Sequence, residues 1–181
     1  MKILGVSGSL RAGSYNTMLV RAAAGLAPEG VSLEVFDLRG IPMYDDDVYQ
    51  KGFPEPVAAW REAIRSADAL FFSTPEYNRS IPGVLKNAID WASRPKEMPL
   101  SGKPAAVTGA TPGALGAAAA IFHLRHVLGV LGVQLVSGKD VFMGQAAGKF
   151  DAAGTLTDEA SRKQVEDLLA RLVRLTERLR G

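Results

Sequence analysis

Five short apolar runs alternate with longer stretches in helical rhythm, and that alternation restricts the chain to one class of architecture. The strand-like runs are 2–7, 31–38, 69–74, 105–109 and 133–142. Several are almost continuously apolar, as parallel strands covered on both faces must be. The helical patterns fall at 16–26, 56–67, after Ser80, at 114–129 and over the last twenty or so residues. After Ser80, the residues Val84, Leu85, Ala88, Ile89 and Ala92 repeat at helical spacing, with Pro82 tolerated in the first turn. Strict strand–helix alternation means a parallel sheet with right-handed crossovers. Five of each in 181 residues fit a single domain, 1–181, with strand order 2-1-3-4-5 and helices on both faces. The stretch 40–56, with Asp45-Asp46-Asp47, reads as a surface loop, because carboxylates adjacent in sequence rarely converge on one ion.

In such a sheet ligands bind at the carboxyl ends of the strands where the winding reverses, here between strands 1 and 3. The segment after strand 1 is Gly8-Ser9-Leu10-Arg11-Ala12-Gly13-Ser14-Tyr15-Asn16-Thr17. A loop of small and hydroxyl residues opening a helix leaves N–H groups unpaired where the helix dipole is positive, which favours a bound phosphate. Ser9, Ser14 and Thr17 add hydroxyls, and Arg11 adds a planar, permanent charge. No Gly-Lys-Ser/Thr follows, so this is not a Walker A loop, and Gly5-x-x-Gly8-x-x-x-x-Gly13 does not fit dinucleotide spacing. A single phosphate monoester, as on a mononucleotide, is the expected guest.

Two further loops should meet it. After strand 3 comes Pro75-Glu76-Tyr77-Asn78-Arg79-Ser80-Ile81-Pro82, where Tyr77 offers a flat face and Asn78 both donors and acceptors. After strand 4 comes Gly109-Ala110-Thr111-Pro112-Gly113-Ala114-Leu115-Gly116, so poor in bulk that a ring could lie on its backbone and receive its N–H groups.

Composition removes other classes. With 47% hydrophobic and 22% charged residues the chain is an ordinary globular protein, and a net charge of +2 implies no nucleic-acid partner. It has no cysteine, so disulfides, thiol redox chemistry and thiolate metal sites are excluded. No apolar stretch is long enough to cross a bilayer, and Met1-Lys2 leads straight into a strand, so no membrane role and a cytoplasmic location are expected. The arginines of the last helix read as solvated surface. His123 and His126 have no third candidate ligand nearby, so no metal site is expected. Strand 3 ends in Ser73-Thr74-Pro75 where a receiver domain needs an aspartate, and Asp37 reads as strand-end polarity rather than a Rossmann ribose contact.

The segments Gly8-Ser9-Leu10-Arg11-x-Gly13-Ser14-x-Asn16 and Thr74-Pro75-Glu76-Tyr77-Asn78-x-Ser80-x-Pro82-Gly83-x-Leu85-Lys86-Asn87-Ala88-Ile89-Asp90-Trp91 resemble the phosphate loop and signature of the NADPH-dependent FMN reductases. Tyr44-Asp45-x-Asp47-Val48, Gly52-Phe53-Pro54, Gly102-Lys103-Pro104, His123-Leu124-Arg125 and Phe142-Met143-Gly144 are similar to the bacterial soluble quinone and chromate reductases among them. The resemblance implies a flavodoxin-like three-layer α/β/α sandwich. It implies that Ser9, Arg11, Ser14, Tyr15, Asn16 and Thr17 hold the phosphate and ribityl tail of FMN. Pro75, Glu76, Tyr77 and Asn78 would then border the isoalloxazine, and Ala110, Thr111 and Gly113 would meet its far edge. Ala110 stands where relatives often carry serine, so its contact would run through the backbone. No catalytic acid, base or nucleophile is implied, since flavin carries the chemistry. NADPH or NADH would be the electron donor, and quinones, free flavin, azo compounds or chromate the small-molecule acceptors. A homodimer or homotetramer is implied, with Arg79, Trp91, His123 and Arg125 as interface candidates. The alternative class is a flavodoxin-type electron carrier, which the slightly basic charge disfavours.

Overall fold

The computed structural model describes residues 1–95 and 97–181. Its elements are β1 (Lys2–Ser7), α1 (Tyr15–Gly25), β2 (Ser32–Phe36), α2 (Asp46–Tyr49), α3 (Glu55–Ser66), β3 (Ala69–Ser73), α4 (Gly83–Ala92), β4 (Pro104–Ala110), α5 (Ala118–Val130), β5 (Gln134–Leu135), β6 (Val141–Met143) and α6 (Glu159–Arg180). The parallel sheet runs β2-β1-β3-β4-β5, with β6 also paired to β4. This is the flavodoxin-like arrangement expected. In β3 and β4 every residue is buried, because helices cover both faces.

One core lies between the sheet and α3, α4 and α5, with Trp60, Ile64, Leu70, Phe72, Leu85, Ile89 and Leu124. The other lies under α1 and α6, with Leu19, Val20, Phe71, Val165, Leu169 and Leu172. Consecutive residues of β3 alternate between the two, which is how a five-residue strand serves both layers. Each fully buried large apolar side chain contributes about 1.5–3 kcal/mol, so these two layers are the main source of stability.

Three expectations need correction. The fifth strand is not continuous over 133–142: β5 pairs with the start of β4 and β6 with its end, interrupted by residues 136–140. Gly138 takes a φ of 98° there, a conformation that takes the chain off the strand path. The carbonyls so exposed are recovered by arginines: Arg125 donates to Val136 O at 3.2 Å, and Arg171 to Ser137 O at 3.0 Å and Lys139 O at 2.8 Å. Second, α5 begins at Ala118 rather than at 114. Gly116 and Ala117 both sit in the left-handed region, φ 59° and 63°, and a helix cannot propagate backwards through them. Third, the loop 40–56 contains α2, whose N-cap Asp45 accepts from Asp47 N at 2.9 Å. The triple aspartate thus starts a helical turn.

Trp91, an expected interface residue, is instead fully buried. Its indole N–H donates to Pro42 O at 2.8 Å, and Asn87 brackets the same segment, accepting from Tyr44 N at 2.7 Å and donating to Pro42 O at 2.8 Å. The signature residues Asn87 and Trp91 therefore dock the 40–49 segment on α4.

Candidate active site

Three loops converge at the carboxyl edge of the sheet. Ser9, Arg11, Ser14, Tyr15, Asn16, Pro75, Glu76, Tyr77, Ala110 and Thr111 line one open hollow of about 390 Å³, joined by Pro112. That volume is ordinary for a small-molecule site. Thr17, Asn78 and Gly113, expected in the same group, do not line it.

The loop after β1 is shaped by its own hydroxyls. Ser9 N donates to Ser7 Oγ at 3.3 Å, Arg11 N to Ser9 Oγ at 3.3 Å, and Ser14 N to Arg11 O at 3.1 Å. Ser14 is the N-cap of α1: its oxygen accepts from Asn16 N at 3.2 Å and Thr17 N at 3.4 Å, which leaves its one O–H to donate elsewhere. Thr17 faces a neighbouring hollow instead, with its hydroxyl donating to Ser7 Oγ at 2.9 Å. The Arg11 guanidinium lies 5.6 Å from the centre of the Tyr15 ring and makes no ion pair among the described residues.

Asn16, which lines the hollow, also holds the protein's own backbone. Its Oδ1 accepts from Ala110 N at 2.9 Å and from the Ser73 hydroxyl at 2.8 Å, while its Nδ2 donates to Ala110 O at 2.9 Å. The side chain is a clamp that ties the ends of β3 and β4 to the start of α1, across 94 residues of sequence. It engages both backbone groups of Ala110, so the N–H of that residue is already spent within the protein. The same holds nearby: Thr111 N donates to Met143 O at 3.0 Å and Gly113 N to Thr111 Oγ1 at 3.2 Å. The expectation that these N–H groups face a ligand is corrected accordingly; this wall offers surface rather than donors.

Glu76 joins the other two loops. Its Oε2 accepts from Ala119 N at 3.0 Å and Ala120 N at 3.3 Å, capping α5, whose own cap residue Ala117 supplies no side-chain oxygen. A carboxylate at a helix start is favourable on charge as well as on hydrogen bonding. Its other oxygen lies 3.5 Å from Arg79 Nη1. Tyr77 and Ser80 exchange backbone hydrogen bonds of 3.0 Å around Asn78 and Arg79, whose φ values of 51° and 64° make the tight primed turn of a two-residue hairpin. The turn carries Asn78 to the exposed tip and leaves Tyr77, 52% exposed, over the hollow. Ser80 Oγ and His123 Nδ1, 2.8 Å apart, pin the hairpin to α5.

Residues not anticipated complete the frame. Gly116 and Gly144 let the loop after β4 touch the chain after β6; a Cβ on Gly144 would lie 2.3 Å from Ala114 O. Gly144 was visible in the sequence only as part of Phe142-Met143-Gly144. Ser7 and Ser73 gave no sign of their part, since a serine ending a strand is unremarkable.

A hollow with a guanidinium and hydroxyls at one end and an exposed tyrosine face at the other suits a phosphorylated planar heterocycle. The NADPH-dependent FMN reductase family model matches residues 1–148. The chain belongs to that family. It is 52% identical over 181 residues to an NAD(P)H-dependent FMN reductase of Pseudomonas aeruginosa, covering 100% of this chain and 98% of that one. A quinone reductase of Escherichia coli is 43% identical over 146 residues, 80% of this chain and 77% of its own. Among solved structures, the flavoenzyme NAD(P)H:(acceptor) oxidoreductase FerB of Paracoccus denitrificans superposes with a TM-score of 0.89 at 36% identity, covering 98% of this chain and 97% of that one. The protein is therefore an NAD(P)H-dependent oxidoreductase that works with FMN. The donor set of the hollow fits that cofactor: a guanidinium with no ion pair among the described residues and the Ser9 and Ser14 hydroxyls for a phosphate, an aromatic face for the ring. No helix among the described residues is long and apolar enough to cross a membrane.

Proposed function

We propose that this chain is a quinone reductase whose breadth extends to free flavin, azo compounds and chromate, with FMN held in the hollow between the three loops. FMN, when bound, supplies the hydride and electron transfer. The chain's own residues bind and orient. Ser9, Arg11 and the free O–H of Ser14 take the phosphate, Tyr15 flanks the tail, and Pro75 and Tyr77 border the ring. Asn16 and Glu76 act at one remove: the first fixes the wall at Ala110, the second fixes the hairpin against α5. The observation that carries the reading is the unpaired Arg11 guanidinium at one end of a hollow whose other end is an exposed tyrosine. The openness of that hollow supports a broad acceptor range, because few contacts discriminate.

The same reading treats residues 1–181 as one FMN-binding domain, since both cores share a single sheet. It takes the enzyme to be a cytoplasmic homo-oligomer; the exposed Leu115, Phe122, Val130 and Phe142 around α5 support a partner copy there. The test is direct. Purified protein should take up FMN and turn over either nicotinamide with menadione, without a partner reductase; a protein that holds FMN yet needs a partner is an electron carrier instead. Arg11→Ala should weaken FMN binding by about 1.5–3 kcal/mol with little change in Tm. Unchanged FMN affinity removes Arg11 from the phosphate end.

A further inference from the structure

Most arginines of the chain are spoken for. Arg65, Arg79, Arg125, Arg162, Arg171 and Arg180 each pair with a carboxylate. Arg21 makes neither an ion pair nor a side-chain hydrogen bond among the described residues, and it opens onto a second hollow of about 440 Å³. This hollow lies behind the loop after β1 and shares Ser9 and Arg11 with the first, so that loop is a wall between two cavities.

Its lining combines three features. Arg11, Arg21 and Arg39 face it, against one carboxylate, Asp37. That carboxylate is already balanced: Arg39 Nη1 pairs with Asp37 Oδ2 at 2.8 Å, and Arg39 N donates to Asp37 Oδ1 at 3.0 Å. Arg39 is held in place, since its second terminal nitrogen donates to Leu10 O at 2.5 Å. Beside this charge stands an apolar shelf of Val35, 43% exposed, and Phe36. Guanidinium groups that are held in place or carry no ion pair recognise phosphate, and an apolar shelf receives a flat base.

We propose that the second hollow binds the 2′-phosphorylated adenosine end of NADPH, with Arg21 and Arg39 setting preference for NADPH over NADH. This rests on FMN occupying the first hollow. The shared wall is what makes the assignment economical: a dinucleotide whose reactive end reaches Tyr77 passes the loop and leaves its other end here. Asp37 would repel a phosphate if it were free; neutralised by Arg39, it leaves the lining with a surplus of positive charge. Without the 2′-phosphate, Arg21 has nothing to bind.

The experiment uses FMN-loaded protein. By titration calorimetry, 2′,5′-ADP should bind about tenfold or more tightly than 5′-AMP, the difference one charge-assisted phosphate contact makes. Inorganic phosphate as a third arm should bind far more weakly than 2′,5′-ADP; equal binding would mean a bare anion site and overturn the proposal. Arg21→Ala should lose about tenfold in 2′,5′-ADP affinity and raise KM for NADPH by a like factor, with KM for NADH unaltered. Arg21→Lys should recover part of both. FMN affinity is read separately by flavin fluorescence. If Arg21→Ala releases FMN, the second hollow belongs to the flavin phosphate and the proposal is wrong. If wild-type protein takes up no FMN, the reading beneath it fails first and is seen to do so. Equal loss toward NADH and NADPH also overturns it.

Discussion

At the amino end of the sheet almost every charge is consumed. The Met1 ammonium donates to Gly30 O at 2.8 Å, Lys2 N to Asp68 Oδ2 at 2.7 Å, and Lys103 Nζ to the carbonyls of Arg65 and Ala67, while Arg180 pairs with Asp68. Buried Arg61 caps the end of α4 through Trp91 O at 3.1 Å and Ala92 O at 3.0 Å, reaches Glu97 O at 2.8 Å, and lies 4.1 Å from the Phe53 ring centre. Burial lowers the proton affinity of both Arg61 and Lys103, an acceptable loss because each stays hydrogen-bonded. At the carboxyl end Arg11 and Arg21 make no ion pair among the described residues, Tyr77 is exposed, and two pairs of neighbours, Asn78 with Arg79 and Gly116 with Ala117, adopt left-handed backbone. The same residue types thus do opposite work at opposite ends. One end holds the fold together, and the other keeps its polar groups available at some cost in stability.

That contrast can be broken by experiment. The largest effect should come from Arg61→Ala, which leaves several buried carbonyls unpaired and should cost about 3 kcal/mol by denaturant unfolding. The folded remainder should bind FMN with wild-type affinity; a parallel loss of FMN would mean the two ends are not separable. Asn16→Ala sharpens the comparison from the other side, since it is a stabilising residue placed at the functional end. It should cost about 2–3 kcal/mol, because Ala110 and Ser73 lose their partner. If instead Tm holds and only FMN is lost, Asn16 is a ligand and not a clamp. Asp68→Asn should be the mildest. Burial would raise the Asp68 carboxyl, but the Lys2 N–H and the Arg180 guanidinium hold it below its usual range. A carboxyl depressed in the folded state stabilises above its unfolded pKa and loses that contribution as pH falls through the folded value. The variant should therefore be less stable by about 1 kcal/mol at neutral pH. The gap should close below about pH 4. An equal gap in unfolding midpoints at pH 7 and pH 3 would detach Asp68 from this role.

What could be read in advance was whatever depends on local pattern. Strand–helix alternation and an almost continuously apolar β3 give the sheet order, and the hydroxyl-rich turn at 8–17 marks the phosphate end. What could not be read depends on partners distant in sequence. That Glu76, which lines the hollow, also caps α5 is hidden in the sequence because Ala119 and Ala120 lie more than forty residues on. That Asn16 also clamps Ala110 and Ser73 is hidden for the same reason. Thr17 has the right spacing for a cradle, yet it faces the neighbouring hollow, with its hydroxyl donating to Ser7. The helical pattern starts at 114, whereas the positive φ of Gly116 and Ala117 and the packing of Gly116 against Phe142 decide where α5 begins. The interruption at 136–140 was also hidden, since Arg125 and Arg171, which make it tolerable, are remote from it.

The interrupted outer strand has a bearing on how the protein behaves when crowded. A long flat border of free N–H and C=O groups would invite a neighbouring molecule to add a strand and begin a polymer. Here the border is two residues, then a left-handed glycine, then carbonyls already occupied by guanidinium groups. Fibrillar growth along that rim therefore has no continuous template.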